Sequence, residues 1–307
     1  MPDTSSPVET YAPAAPSSSR RRWLGILLLL ITASGWAQGW SATKILMRDW
    51  PPFFSRGVAG VAAALILACI VVLRGERIYV PREAIPRLVC AAFTNVFAWM
   101  GFSVLTLYWL NIGEGVLLVF TMPLWATLLA WPFLGTRPTP RSITALLLGL
   151  AGVVVLFSGH DFSLGSGKLF GVAFALGAAV LFALGTVLNR RPLPLSQLAA
   201  VMWQVGLACL PMLVLGLLFE KPDLRALSPM GFAMLTYITV VAMGICYLTW
   251  FATLRHLPPA LAATGILLIP LIAVISGAVI FGEPLGWKEA TSVALTLAGV
   301  TLALQKA

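Results

Sequence analysis

LNIGEGVLLVFTMPLWATLLAWPFLGTRPTPRSITALLLGLAGVVVL, residues 110–156, and LPPALAATGILLIPLIAVISGAVIFGEPLGWKEATSVALTLAGVTLA, residues 257–303, lie over one another at a shift of 147 positions. The shift sets Leu110 on Leu257, Pro123-Leu124 on Pro270-Leu271, Gly135 on Gly282 and Leu150-Ala151-Gly152-Val153 on Leu297-Ala298-Gly299-Val300. A prolyl kink, a helix-ending glycine and a small-residue closing stretch recur at one spacing, as an internal repeat requires. Outward from there, a shift of 146 lays Trp36-Ala37-x-Gly39 on Phe182-Ala183-x-Gly185, and one of 143 lays Gly101-x-x-x-Leu105-Thr106 on Gly244-x-x-x-Leu248-Thr249. The matches run in order along the chain, which therefore reads as two halves of one plan.

What those halves are made of follows from composition. The chain has 307 residues, 59% hydrophobic and 10% charged, with a mean hydropathy of +0.94. That excludes an ordinary water-soluble enzyme. Cutting at charged residues leaves ten long uncharged runs, at 23–43, 57–73, 88–113, 115–136, 142–159, 169–189, 192–219, 226–254, 257–282 and 290–305. A ~30 Å hydrocarbon core takes about 20 residues of helix, and only helices or closed barrels satisfy their own backbone in lipid. The runs lack the period-2 alternation of barrel strands. The expected fold is an all-α integral membrane protein with ten transmembrane helices.

Residues 1–22 begin with a Pro-, Ser- and Ala-rich stretch that cannot bury enough apolar surface to order itself, so they read as a disordered cytoplasmic tail. The first repeat then spans 23–159, an outer connecting loop 160–168, and the second repeat 169–307. With the N-terminus inside, Arg20, Arg21, Arg22, Arg74, Arg77, Arg82, Arg87, Arg137, Arg141, Arg190, Arg191, Arg255 and Lys306 fall on the cytoplasmic side. Arg48, Lys168, Lys221, Arg225 and Lys288 fall outside, leaving Lys44 and Arg56 at helix ends. The excess of Lys and Arg on one side sets the orientation, and it accounts for the net charge of +9 without nucleic acid. Because five spans are odd in number, the second repeat is inverted relative to the first, a geometry common in alternating-access carriers.

Taken together, Pro270, Gly282-Glu283-Pro284 and Leu297-Ala298-Gly299-Val300 resemble the ten-helix EamA-type members of the drug/metabolite transporter superfamily, over about residues 23–305. The first half departs from that pattern at Thr136, where the family usually has a glutamate, and in the loose first-helix motif Trp36-Ala37-Gln38-Gly39. The resemblance implies a basket-like bundle in the bacterial inner membrane. Helices one, three, four, six, eight and nine would line a central cavity, and two, five, seven and ten would support it. It also implies a secondary transporter exporting small metabolites, first of all amino acids with aromatic or apolar side chains, as the aromatic amino-acid exporters of the superfamily do.

Several residues are candidates for that cavity. Trp36, Trp40 and Lys44 recur every four residues on one helix face, so two indoles and an ammonium share a stripe. Either they wall the substrate and attract its carboxylate, or the indoles pack and Lys44 snorkels. Gln38 lies on the same helix. Asn95, Trp99, Ser103 and Thr106 form a polar stripe that should face the bundle interior. Tyr237 and Tyr247 lie within roughly 80° of one another on helix eight, and their hydroxyls need partners, in substrate or in backbone. Pro123 and Pro270 each remove a helical hydrogen bond, so a kink or hinge is expected at both, with Thr121 and Thr264 close to the freed groups. Gln204 falls in a support helix and reads as structural.

No Asp or Glu lies mid-span. Glu114 and Glu283 sit near outer helix ends, where Glu114 is expected to pair with Lys44. Cys69, Cys90, Cys209 and Cys246 lack metal-ligand spacing and read as small packing residues. The spans hold neither HExxH nor GxSxG, so no enzyme, metal or cofactor is expected. The expected partners are a small-molecule substrate and the bilayer. The competing reading is a carrier of the same fold for another solute, a quaternary-amine drug or a nucleotide sugar, or less readily a channel or scaffold.

Overall fold

The computed structural model describes residues 18–135, 137, 139–156, 158, 166–189, 193–257, 261, 262 and 265–304. The described residues are all-helical. We label the helices α1 (Ser18–Leu46), α2 (Pro52–Leu73), α3 (Arg82–Thr106), α4 (Ile112–Leu134), α5 (Pro140–Leu156), α6 (Ser166–Leu188), α7 (Gln197–Glu220), α8 (Pro229–His256), α9 (Leu268–Phe281) and α10 (Trp287–Leu304). Seven of them, α1–α4 and α6–α8, are long and apolar enough to cross a membrane, and α5 and α9 are shorter apolar helices. Thr136, His160, Arg190, Thr264, Lys306 and most of the tail and the connecting loop lie outside the described residues.

Two boundaries differ from the apolar runs. Helix α1 starts at Ser18 rather than Trp23, so the three arginines belong to its first turns. The run 88–113 is not one helix, because Leu107–Trp109 form a turn. That turn is apolar, and cutting at charges cannot see an uncharged break. It ends in Asn111, whose side chain accepts from Glu114 N at 2.7 Å while Glu114 Oε2 accepts from Asn111 N at 3.1 Å. This reciprocal capping box starts α4. Ser196 and Ser228 cap α7 and α8 in the simpler way, and Gly135 and Gly282 close α4 and α9 at φ +69° and +66°, where a side chain would be strained.

Helix pairs close through glycine. In the contact of α2 with α7, a Cβ on Gly57 would strike the Leu213 backbone, and one on Gly216 the Phe54 backbone. Between α5 and α10, Gly152 faces Ser292 and Thr296, while Gly299 faces Ala145 and Gly149. As one index rises the other falls, so α5 and α10 run antiparallel. Without a hydrophobic force between helices in lipid, this close approach supplies the packing. Cys209 and Cys246 fill the notches over Gly60 and Gly35. Further packing joins α1 to α8 and α9, α6 to α3 and α4, α3 to α7, α2 to α8, and α4 to α9.

Partly buried acids tie helix starts to distant segments. The Glu220 carboxylate at the end of α7 accepts from Phe53 N at 3.2 Å and Phe54 N at 2.9 Å, at the start of α2. Glu283, just past α9, accepts from Ile112 N at 2.8 Å and Gly113 N at 3.2 Å at the start of α4, and forms an ion pair with Lys44 at 2.7 Å. Each carboxylate thus meets unpaired N–H groups and the positive end of a helix. The expected pair of Glu114 with Lys44 does not form. Glu114 instead meets Lys168 at 3.3 Å in an exposed contact, because its own capping box turns it away from α1.

These two acids should differ in stability cost. Glu283→Ala leaves Lys44 and two amides without partners and should destabilise the protein by about 3 kcal/mol. Glu114→Ala should cost about 1 kcal/mol, the value of a cap plus a solvated pair. Thermal unfolding in detergent checks the ranking, and equal losses would show that Glu283 is no tie.

Candidate functional site

A cavity of about 1010 Å³ lies within the bundle. At one end it meets Arg137, which is exposed, and at the other it stops among Trp40, Thr43 and Leu107, all buried. The Lys44–Glu283 pair and the start of α4 lie a helical turn beyond that closed end. Most of the wall comes from α1, α3, α4, α6 and α8; α7 adds Val201, Gln204 and Val205, α9 with the residues just before it adds Ile266, Leu267 and Ile269, and α2, α5 and α10 add one or two residues each.

Aromatic side chains line it in two groups. In one, Trp36 packs edge-on against Tyr247 at 5.4 Å and tilts against Trp250 at 6.1 Å. In the other, Trp99 of α3 meets Phe182 of α6 at 6.2 Å. Trp36 is held in place because its indole N–H donates to Ala242 O at 2.8 Å. That carbonyl lies in a π-helical stretch of α8, Tyr237–Ile245, and α3 has a matching stretch at Ala92–Ala98. Wider turns of this kind occur often at functional sites, and here both carry lining residues, Asn95 and Val96 in α3, Ala242 and Met243 in α8.

Of the residues singled out from sequence, Trp36, Trp40, Asn95, Trp99, Ser103, Tyr247 and Pro123 come together on the cavity wall. Gln38, Lys44, Tyr237 and Pro270 do not. Gln38 Nε2 donates to Ser276 Oγ at 2.7 Å and so fastens α1 to α9. Tyr237 OH donates to Gly35 O at 3.0 Å, fastening α8 to α1. Lys44 is turned to Glu283 and lies over the Phe281 ring at 5.1 Å. A shared helix face located these side chains, but each polar end found a protein partner. Pro123 and Pro270 fall in the first turns of helical segments that restart at Met122 and Leu268. Near the first break Thr121 Oγ1 donates to Leu118 O at 2.6 Å.

Among the wall residues beyond the sequence candidates are Gln204, Phe182 and Arg56. Gln204 lines the cavity although α7 was expected to be pure support. Phe182 was detectable as the counterpart of Trp36 under the shift of 146. Arg56, five residues into an otherwise apolar helix, lines the cavity with its Nη2 donating to Thr43 Oγ1 at 2.8 Å. A lone charge inside an apolar run is the signal that marks it.

The EamA-like transporter family matches this chain twice, over residues 23–158 and 169–305. The uncharacterized transporter YvbV of Bacillus subtilis is 25% identical over 281 residues, covering 90% of each chain. The uncharacterized inner membrane transporter YedA of Escherichia coli K12 is 26% identical over 87% of this chain and 86% of its own. A solved crystal structure is similar in fold at a TM-score of 0.62 and 21% identity, over 93% of this chain and 96% of that one. Helices long enough to span, a cavity among them and two family matches end to end have one meaning: the chain belongs to the EamA-like transporter family and is a multi-pass membrane transporter.

Proposed function

We propose that the protein exports small metabolites, first of all amino acids with aromatic or apolar side chains, across the inner membrane by alternating access. The observation that carries this reading is the aromatic-walled cavity, exposed at Arg137 and stopped at Thr43. A substrate ring would sit between Trp36 with Tyr247 and Trp99 with Phe182, where stacking and dispersion contribute beyond simple burial.

The architecture we infer is ten spans in two inverted repeats of five. In support, exchanging each helix with the one five places away maps the α1–α8 contact onto α6–α3, α1–α9 onto α6–α4, and α3–α7 onto α8–α2. The same exchange takes the contact of Gly152 with Ser292 and Thr296 onto that of Gly299 with Ala145 and Gly149, between helices that run antiparallel. Two bundles of this kind can rock about a shared site. Both termini are placed in the cytoplasm by the distribution of Lys and Arg, and on that assignment the exposed end at Arg137 faces inward.

Cysteine labelling in intact cells should then reach loops 160–168 and 220–226 from outside and loops 74–87 and 190–196 only after permeabilisation. The opposite pattern would overturn the orientation and, with it, the direction of transport.

Proteoliposomes given a panel of labelled amino acids should show saturable uptake with counterflow, which a pore would lack. Trp99→Ala should reduce transport of aromatic amino acids by about tenfold and that of alanine or serine far less. Unchanged transport of every solute at normal expression would place Trp99 in packing alone.

A further inference from the structure

Arg56 is a charge without a counter-charge. Among the described residues no carboxylate lies within ion-pair distance of it. Thr43 Oγ1 accepts from one of its N–H groups, whereas a guanidinium carries five in a planar fork. Its side chain is half-buried and lines the cavity near the closed end. The residues lining that cavity include no Asp or Glu. Two further donors there lack partners among the described residues, the Trp99 indole N–H and the Ser103 hydroxyl, which is buried. A cation kept inside an apolar bundle marks a ligand path, and its planar fork matches a carboxylate in two parallel hydrogen bonds. Lys44 cannot serve the same purpose while Glu283 neutralises it at 2.7 Å.

We propose that Arg56 reads the carboxylate of the transported solute, and that the solute is an aromatic or apolar carboxylate whose ring lies among Trp36, Trp99 and Tyr247. The inference rests on the export reading for its cavity and deepens it by naming the recognised group. An amino acid and a simple arylalkanoate share that group. Because no acid lines the cavity, the ammonium of an amino acid meets only neutral acceptors and aromatic faces and adds little to affinity.

The test uses the purified full-length protein and three probes of one shape: 3-phenylpropionate, L-phenylalanine and the neutral 3-phenylpropanamide. The wild type should bind both carboxylates about tenfold tighter than the amide. Arg56→Gln should erase that preference and leave amide affinity unchanged, which also reports that the variant is folded. Arg56→Lys keeps the charge and loses the fork, so it should lose about threefold for the carboxylates and nothing for the amide. A wild type with no carboxylate preference, an Arg56→Gln protein that retains it, or an Arg56→Lys protein that weakens amide and carboxylate alike overturns the proposal. Carboxylate binding through Arg56 without phenylalanine uptake into proteoliposomes would sink the export reading and leave this one standing. Phenylalanine transport indifferent to Arg56→Gln would do the reverse.

Discussion

Lipid offers no hydrogen-bond partner, so every backbone irregularity at membrane depth must be buried in protein or line a cavity. The structure meets that constraint at three departures from regularity that line the cavity, while a further π-helical stretch, Gly216–Glu220, closes α7 at its end and lines no cavity. The π-helical stretch of α3 brings Asn95 and Val96 to the cavity, that of α8 brings Ala242 and Met243, and the break in α4 brings Phe120. The carbonyl of Ala242 accepts the Trp36 indole N–H. A carbonyl in the irregular stretch thus orients a wall of the site.

A second consequence is the placing of charge. Glu220 and Glu283 are spent on helix starts, and Lys44 on Glu283. These groups hold α1, α2, α4, α7 and α9 in register at one end of the bundle. The charged side chains among the described residues of the cavity wall are cationic, Arg56 toward the closed end and Arg137 and Arg141 toward the other. Recognition by a neutral aromatic box alone would not distinguish an acid from its amide, whereas the contact proposed for Arg56 would.

The sequence made the helices and the repeat legible because both leave long, uncharged or regularly spaced signals. Pro123 and Pro270, Gly135 and Gly282, and the two LAGV stretches each do locally what their residue types require. Helix-face reasoning put Trp36, Trp40, Asn95, Trp99, Ser103 and Tyr247 together, and all six line the cavity, Trp36 and Trp40 on regular α1 and the others within or following the π-helical stretches of α3 and α8. It misplaced Gln38, Lys44 and Tyr237 because a polar side chain on an inward face has two possible partners, solute or neighbouring helix, and periodicity does not separate them. The π-helical turns and the apolar turn at Leu107–Trp109 left no compositional mark. Arg56 was visible as a lone charge approaching the interior, and its place on the wall depends on how α2 rotates against α7, set by the backbone contacts of Gly57 and Gly216.

The repeat also shows what is not repeated. Counted from the first residue of each helix, Arg56 is the fifth of α2 and Val201 the fifth of α7, and both line the cavity. Equivalent scaffolds therefore present a guanidinium on one side and an apolar branch on the other. Arg137 is exposed at the cavity's end, where water and salt screen it, so its field can gather anions but holds them weakly. Arg56 lies where the surroundings are apolar and the same charge acts more strongly. On the proposal that Arg56 reads the solute's carboxylate, an anion drawn in past the first would be bound at the second, and two halves that match one family model would still give the solute one fixed orientation, carboxylate toward Arg56 and ring toward the indoles.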